Sequence, residues 1–317
     1  MAILHGVPQG SVLGPLLFLI YINDLPNAIS NSKTFIFADD TGLLFSSSNL
    51  KTIEEKVNLD LTFLSSWLQA NKIALNTTKT EVVLFRDPRK PINEEIKLVL
   101  DNFELSFSSH VKYLGVILDQ HLNFKEHTNS LSRKLSKSNG IISKLRHFLP
   151  KDTLLTLYYS LFQSHLTYGL QAWFSSRSSI SRLVSLQKSA VRLMTFSPFR
   201  SHTEPLFLNL KILRLHELYF YFNSLLTYKT LTKSSPQDLQ DNFNLRHPSH
   251  CYPTRNLASE FLSRPLVKTY NYGINSIRYQ SVLNWNSLKS FYPNTDLTNV
   301  SYAKLKHLAK NYLLENH

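Results

Sequence analysis

The chain has 317 residues, 43% of them hydrophobic and 18% charged, which is enough for about two to three ordinary domains and excludes wholesale disorder. A single cysteine, Cys251, excludes an intrachain disulfide and an all-cysteine zinc site, so the expected setting is reducing and intracellular. Residues 1–125 hold 11 basic and 13 acidic side chains and residues 126–317 hold 24 and 9, which suggests a near-neutral part for chemistry followed by a basic part for holding a polyanion, with a merely soluble basic surface the plain alternative.

Met1–Gly6 has no basic flank before an apolar run, so no secretory leader is expected. After the turn-rich Gly6-Val7-Pro8-Gln9-Gly10, Ser11 can cap a helix with Gly14 and Pro15 near its first turn. Leu16–Ile22 is apolar nearly all round, which predicts a helix buried on most sides. The whole run Leu13–Ile22 is shorter than the roughly 20 residues of a membrane span, so no membrane partner is expected. Thr34–Ala38 and Thr41–Ser46 read as a hairpin linked by Asp39-Asp40, a departure from the favoured Asn-Gly or Asp-Gly.

From Thr52 to Ala70, Ile53, Val57, Leu61, Leu64 and Leu68 mark one face of an amphipathic helix, with Glu54, Glu55, Asn58 and Asp60 on other faces. Thr80–Phe85 reads as a strand, and Lys97–Leu100, Glu104–Phe107 and Val111–Leu118 as further strands. Residues 11–86 thus spell α-β-β-α-β, the order of a ferredoxin-like βαββαβ unit without its first strand.

Beyond Lys125 the pattern turns helical. Leu131, Leu135, Ser138, Ile142 and Leu145 form a stripe, while Arg133, Lys137 and Lys144 fall within about 40° of one another on another face. Thr153–Thr167, Ile180–Met194, Leu210–Leu231 and Ala303–Leu314 also read as helices, with Lys233–Asn244 a polar linker and an aromatic cluster near Trp285. The expected division is 1–125, 126–235 and 236–317.

Adjacent aspartates between hydrophobic strands are costly, because each raises the other's pKa unless a cation is present. Mg²⁺ would remove the conflict, since it takes hard carboxylate oxygens and bridges substrate phosphates. An exposed Asp-Asp turn without a metal is the plain alternative. Context separates the two. Phe37-Ala38-Asp39-Asp40 follows the string Gly6-Val7-Pro8-Gln9-Gly10-Ser11-Val12-Leu13-Gly14-Pro15 by about 30 residues. Asn71–Phe85, with Leu75-Asn76 and Lys79-Thr80-Glu81, and then Val111-Lys112-Tyr113-Leu114-Gly115-Val116 come after it. These four ordered motifs resemble those of the reverse transcriptases of non-LTR (LINE-type) retrotransposons: the GxPQGxxxSP-like segment, the (F/Y)xDD box, the next palm motif and the primer grip.

The resemblance implies an α+β fold: a partial right-hand polymerase palm at 1–125, a helical thumb-like region at 126–235 and a mixed C-terminal region at 236–317. It implies RNA-directed DNA polymerase chemistry with two Mg²⁺ ions, an RNA template, a DNA primer or RNA–DNA duplex, and deoxynucleoside triphosphates. Asp39 would ligate the metals and Asp40 would be the second, less directly ligating aspartate. Gln9 and Gly10 would lie beside the incoming nucleotide and template base, and Phe37 near the primer end. Lys79 would neutralise or protonate pyrophosphate. Lys112 and Tyr113 would lie near the primer backbone, and Arg133, Lys137 and Lys144 on the duplex. The family's first palm strand supplies a further aspartate ahead of the Pro-Gln-Gly segment. Only five residues precede Gly6 here and none is acidic. The fingers and that strand are therefore expected to be absent, the two-metal site incomplete and the chain alone inactive.

The competing expectations are a non-catalytic nucleic-acid-binding remnant and an unselected fragment with an open palm edge. Tyr158-Tyr159 and Tyr219–Phe222 sit at helical spacing, which favours core over base stacking. His247, His250 and Cys251 have no fourth partner for zinc, and no Gly-x-Ser-x-Gly turn supports a hydrolase.

Overall fold

A computed structural model describes residues 10–90, 95–174, 180–242, 261–269 and 273–315. The chain divides into two compact units, 1–122 and 123–317. In the first, α1 (Gly14–Ile22) starts where the Gly14 amide donates to Ser11 Oγ at 2.9 Å. Its burial differs from the expectation. Ile22 and Leu25 are buried and Phe18 packs on the same core, but Leu16, Leu17, Leu19 and Ile20 are exposed, Ile20 at 65%. An apolar sequence fixes the helix but says nothing of what covers it. Among the described residues only one side of α1 is covered.

Strands β1 (Lys33–Phe37) and β2 (Asp40–Leu44) pair antiparallel, with Phe37 opposite Asp40. The two-residue turn is therefore Ala38-Asp39, one position earlier than the Asp39-Asp40 link expected. Ala38 has φ +52°, the left-handed backbone that tight hairpins favour and a Cβ resists. Helix α2 (Leu50–Ala70) is capped by Asn49, whose side chain accepts from the Lys51 amide at 2.9 Å. Leu61, Leu64 and Leu68 of its expected stripe are buried, with Val57 packed beside them.

The segment expected as strand Thr80–Phe85 forms only an isolated parallel bridge, Val82 to Phe107, with the Ser108 amide donating to the Val82 carbonyl at 2.8 Å. Two more hairpins follow. Strands β3 (Val99–Leu100) and β4 (Phe103–Glu104) turn at Asp101-Asn102, both at positive φ. Strands β5 (His110–Tyr113) and β6 (Val116–Asp119) turn at Leu114-Gly115, also both positive. Val111–Leu118 is thus two strands rather than one, because Gly115 admits the left-handed turn. The architecture is α+β as expected, and among the described residues the strands form three two-stranded sheets rather than one ferredoxin-like sheet.

The polar side of α2 holds these pieces. Asn58 Nδ2 donates to the Lys97 carbonyl and its Oδ1 accepts from the Val99 amide, both at 2.9 Å. Glu54 accepts from the Lys97 amide at 3.1 Å. Asp60, wholly buried, accepts from the Asn31 amide at 3.2 Å and the Asn31 side chain at 2.9 Å, just before β1.

The second unit is helical. Helix α3 (Lys125–Leu145) packs along α7 (Ile180–Met194). Between them run α4 (Lys151–Leu157), a π-helical turn (Tyr158–Gln163), α5 (Ser164–Thr167) and α6 (Leu170–Trp173). The helix expected over 210–231 is two, α8 (Glu204–Leu210) and α9 (Leu215–Leu231), broken where Lys211 takes φ +51°. The expected linker contains α10 (Gln237–Asn242). Helices α11 (Ile277–Phe291) and α12 (Tyr302–Glu315) pack on α9 around Trp285 and Leu305. The stretch 236–317 therefore joins the same compact unit as 126–235. No helix among the described residues is long and apolar enough to cross a membrane.

Candidate active site and nucleic-acid interface

The two aspartates stand at the tip of the β1–β2 hairpin. Asp39 is in the turn, Asp40 opens β2, and both are exposed. Phe37, paired with Asp40, is 64% exposed beside them. The hairpin is held from below by Tyr113. A Cβ placed on Gly42 would meet the Tyr113 ring at 3.4 Å, so the ring lies flush on the β2 backbone. The aspartate hairpin and the β5–β6 hairpin are thereby in contact. Lys112 is exposed, and strand alternation sends it to the face opposite Tyr113.

Other expected site residues lie less close together. Gln9 falls outside the described residues. Gly10 is exposed at φ +85° with nothing within 4 Å of where a Cβ would stand, so its backbone is open to an approaching molecule. Lys79 ends a 3-10 turn (Thr77–Lys79) and is exposed. Neither Gly10 nor Lys79 lines the cavity of about 600 Å³ in this unit, which is bordered by Leu84, Arg86, Glu95, Lys97 and Glu104. His247, His250 and Cys251 also lie outside the described residues.

Mg²⁺ is the ion that the resemblance implies. Asp39 and Asp40 supply hard oxygens of the right kind, but among the described residues no group of three or more His, Cys, Asp or Glu is placed to hold a metal. The described side chains do not make a two-metal cage.

In the second unit, α3 presents a basic stripe. Arg133, Lys137 and Lys144 are exposed, while Leu131, Leu135 and Ile142 face the core. Two buried polar residues fix the roll of the helix. Ser138 Oγ donates to the Leu161 carbonyl at 2.8 Å, and Asn139 Nδ2 to the Leu186 carbonyl at 3.0 Å. Gly140 lies on the same line as the three cations, also exposed, with open space where a Cβ would stand. The stripe therefore offers charge on a smooth helix surface, a form suited to phosphates rather than to base edges. Of the aromatic residues that the pattern favoured for the core, Tyr158 and Tyr219 are buried, Phe220, Tyr221 and Phe222 are half-buried and Tyr159 is exposed.

The residues that sequence reasoning left aside are Asp60, Asn58 and Glu54. Their signal was weak, because acidic and amide residues on an amphipathic helix ordinarily face solvent. Here they replace strand partners for backbone that no sheet satisfies.

Comparison with known proteins agrees with the motif order. A family model described as reverse transcriptase (RNA-dependent DNA polymerase) matches residues 1–118. The probable RNA-directed DNA polymerase from transposon X-element of Drosophila melanogaster is 31% identical over 203 residues, 60% of this chain and 22% of that protein. The probable RNA-directed DNA polymerase from transposon BS of the same organism is 32% identical over 209 residues, 61% and 22%. The RNA-directed DNA polymerase from mobile element jockey of Drosophila funebris is 27% identical over 219 residues, 65% and 24%. The chain thus spans under a quarter of the length of these relatives. No solved structure matches it. The family match covers the Asp39–Asp40 hairpin and nearly all of the β5–β6 hairpin, and the likeness to relatives runs longer than that match: residues 1–118 are similar to reverse transcriptases, and the chain over some 200 residues is similar to RNA-directed DNA polymerases of transposons and mobile elements.

Proposed function

We propose that the chain is, by descent, part of an RNA-directed DNA polymerase that joins deoxynucleotides to a primer 3′-end on an RNA template with Mg²⁺. The observation that carries this reading is the exposed Asp39–Asp40 hairpin braced by Tyr113. In it, Asp39 and Asp40 hold metal, Gln9, Gly10 and Phe37 meet the nucleotide and template, and Lys79 meets pyrophosphate. Bound Mg²⁺ would neutralise the triphosphate and the leaving group. Among the described residues no third carboxylate joins these two, and on this reading chain 1–317 by itself is expected not to extend a primer.

A second reading, a non-catalytic nucleic-acid-binding remnant, is favoured by the outward basic stripe of α3. Both readings place Arg133, Lys137 and Lys144 on a duplex and Lys112 near the primer backbone. Primer extension on an RNA template with Mg²⁺, run on the chain and on Asp39→Ala, tests the inactivity of this chain. Extension that the substitution abolishes means that another carboxylate completes the metal pair, and it overturns both that inactivity and the second reading. No extension from either, with salt-sensitive binding to the same template–primer, supports the binding remnant.

A further inference from the structure

Tyr158 and Tyr219 lie in the core, as their helical spacing favoured, but the structure exposes a different set of aromatic residues. Phe148 follows α3 and is 83% exposed; Phe196 and Phe199 follow α7 and are 54% and 84% exposed. The two helix ends meet here. His147 lies edge-on to the Phe196 ring with centroids 5.5 Å apart, and the Arg146 guanidinium sits 5.0 Å over it. Arg192 lies 6.0 Å over Phe199, and its Nε donates to the Ser201 carbonyl at 3.0 Å, which pins the loop carrying that ring.

The backbone shows that Phe196 is held out rather than left out. It has φ +54° and occupies the left-handed position that ends α7, where the Ser197 amide donates to the Arg192 carbonyl at 3.0 Å. Glycine is the ordinary residue there. The left-handed residues that close α2, α8 and α9 are Lys72, Lys211 and Lys233, all solvent-loving side chains. Phe196 is strained and apolar at once, and more than half of its surface still faces solvent. The charge is one-sided too. Residues 144–152 and 192–202 hold Lys144, Arg146, Lys151, Arg192 and Arg200 against the single acid Asp152.

We propose that Phe148, Phe196 and Phe199, with Arg146 and Arg192, form a stacking platform for unpaired nucleotides at the joined ends of α3 and α7. Exposed rings interleaved with guanidinium groups suit bases that stack one by one while phosphates meet the cations. Paired bases present no free faces, so the platform selects single strand over duplex. The inference rests on the nucleic-acid reading above and adds the class of strand and the residues that read it.

The test measures fluorescence anisotropy of a labelled single-stranded oligouridylate and of a duplex of equal length, with the full chain and with the double variant Phe148→Ala/Phe199→Ala. Single-strand affinity should fall about tenfold or more, and duplex affinity should change less than twofold. Phe148→Trp/Phe199→Trp should keep single-strand affinity and show quenched indole fluorescence on binding. The platform is overturned if single-strand affinity is unchanged in the alanine variant, or if both affinities fall together. It is also overturned if Phe199→Ala abolishes a concentration-dependent dimer without touching single-strand binding. A chain that binds neither ligand overturns the nucleic-acid reading itself.

Discussion

The Tyr113 ring lies against the Gly42 backbone so closely that a Cβ on Gly42 would stand 3.4 Å from Cε2 and 3.5 Å from the phenolic oxygen. This contact joins the hairpin that carries Asp39 and Asp40 to the hairpin that carries Lys112. Gly42→Ala asks the ring to give by a few tenths of an ångström. Gly42→Val adds bulk on both sides and is expected to cost about 1–3 kcal/mol. A urea titration of the chain and of both variants checks this, and a valine midpoint equal to the parent would show that the ring is free to move.

The turn Ala38-Asp39 makes an opposite prediction. Ala38 sits at φ +52°, where an L-residue is penalised by roughly 1–2 kcal/mol and glycine is not. Glycine loses about 0.5–1 kcal/mol of that gain through the entropy of the unfolded chain. Ala38→Gly is therefore expected to stabilise by a few tenths of a kcal/mol to about 1, and Ala38→Val to destabilise. A midpoint that drops for glycine would mean that Ala38 makes a contact its exposure conceals.

Asp60 gives the pH dependence. Burial alone would raise its pKa, but the Ser32 and Asn31 side chains and the Asn31 and Ser30 amides outweigh burial and hold it below the usual carboxylate value. A carboxyl depressed in the folded state contributes stability that is fully present above the unfolded value near 3.8 and is lost as pH falls through the folded pKa. Asp60→Asn should flatten the acid limb of a stability–pH profile below about pH 4. Asp60→Ala, which leaves the Asn31 donors without an acceptor, should cost about 1–3 kcal/mol at neutral pH.

These three sites show where sequence was readable. The stripes of α2 and α3 were legible because burial on one helix face repeats every three to four residues, and Leu61, Leu64, Leu131 and Leu135 carry it. The hairpin register was not, because Ala38 and Asp39 have no glycine to mark the turn. The Leu114-Gly115 turn was hidden inside an unbroken apolar run. Thr80–Phe85 has strand composition, but composition does not supply a partner, and its backbone finds one bridge. Of the site, Asp39, Asp40 and Phe37 were legible as a motif. The Phe148, Phe196 and Phe199 patch was not, since its rings lie in separate loops and only the α3–α7 packing assembles them.

Gln187 tests the core of the helical unit. Its Nε2 donates to the Tyr158 hydroxyl and the Leu213 carbonyl, each at 3.0 Å, and its Oε1 accepts from the Leu215 amide at 2.9 Å. One buried amide thus ties the π-helical turn and α7 to the start of α9. Gln187→Leu keeps the volume and strands an amide, a carbonyl and a hydroxyl, at an expected cost of about 2–4 kcal/mol. Thermal unfolding followed by circular dichroism reads the loss, and an unchanged midpoint would mean that water replaces all three bonds.

The α3 stripe makes the last prediction quantitative. A cation that touches a phosphate releases condensed counterions when it binds, so each contact adds about one to the slope of log affinity against log salt. Arg133→Ala, Lys137→Ala and Lys144→Ala should each lower that slope on a template–primer duplex by about one, uniformly over duplex sequences. Gly140 refines the test because it stands in line with these three and meets nothing in the chain. Gly140→Ala should stabilise the helix by about 0.5–1 kcal/mol. If the duplex rides directly on the helix surface, the same substitution weakens binding while leaving the salt slope intact, since it removes space and no charge. Gly140→Ala binding as tightly as the parent would place the phosphates at the ends of the long basic side chains, with the helix surface itself untouched.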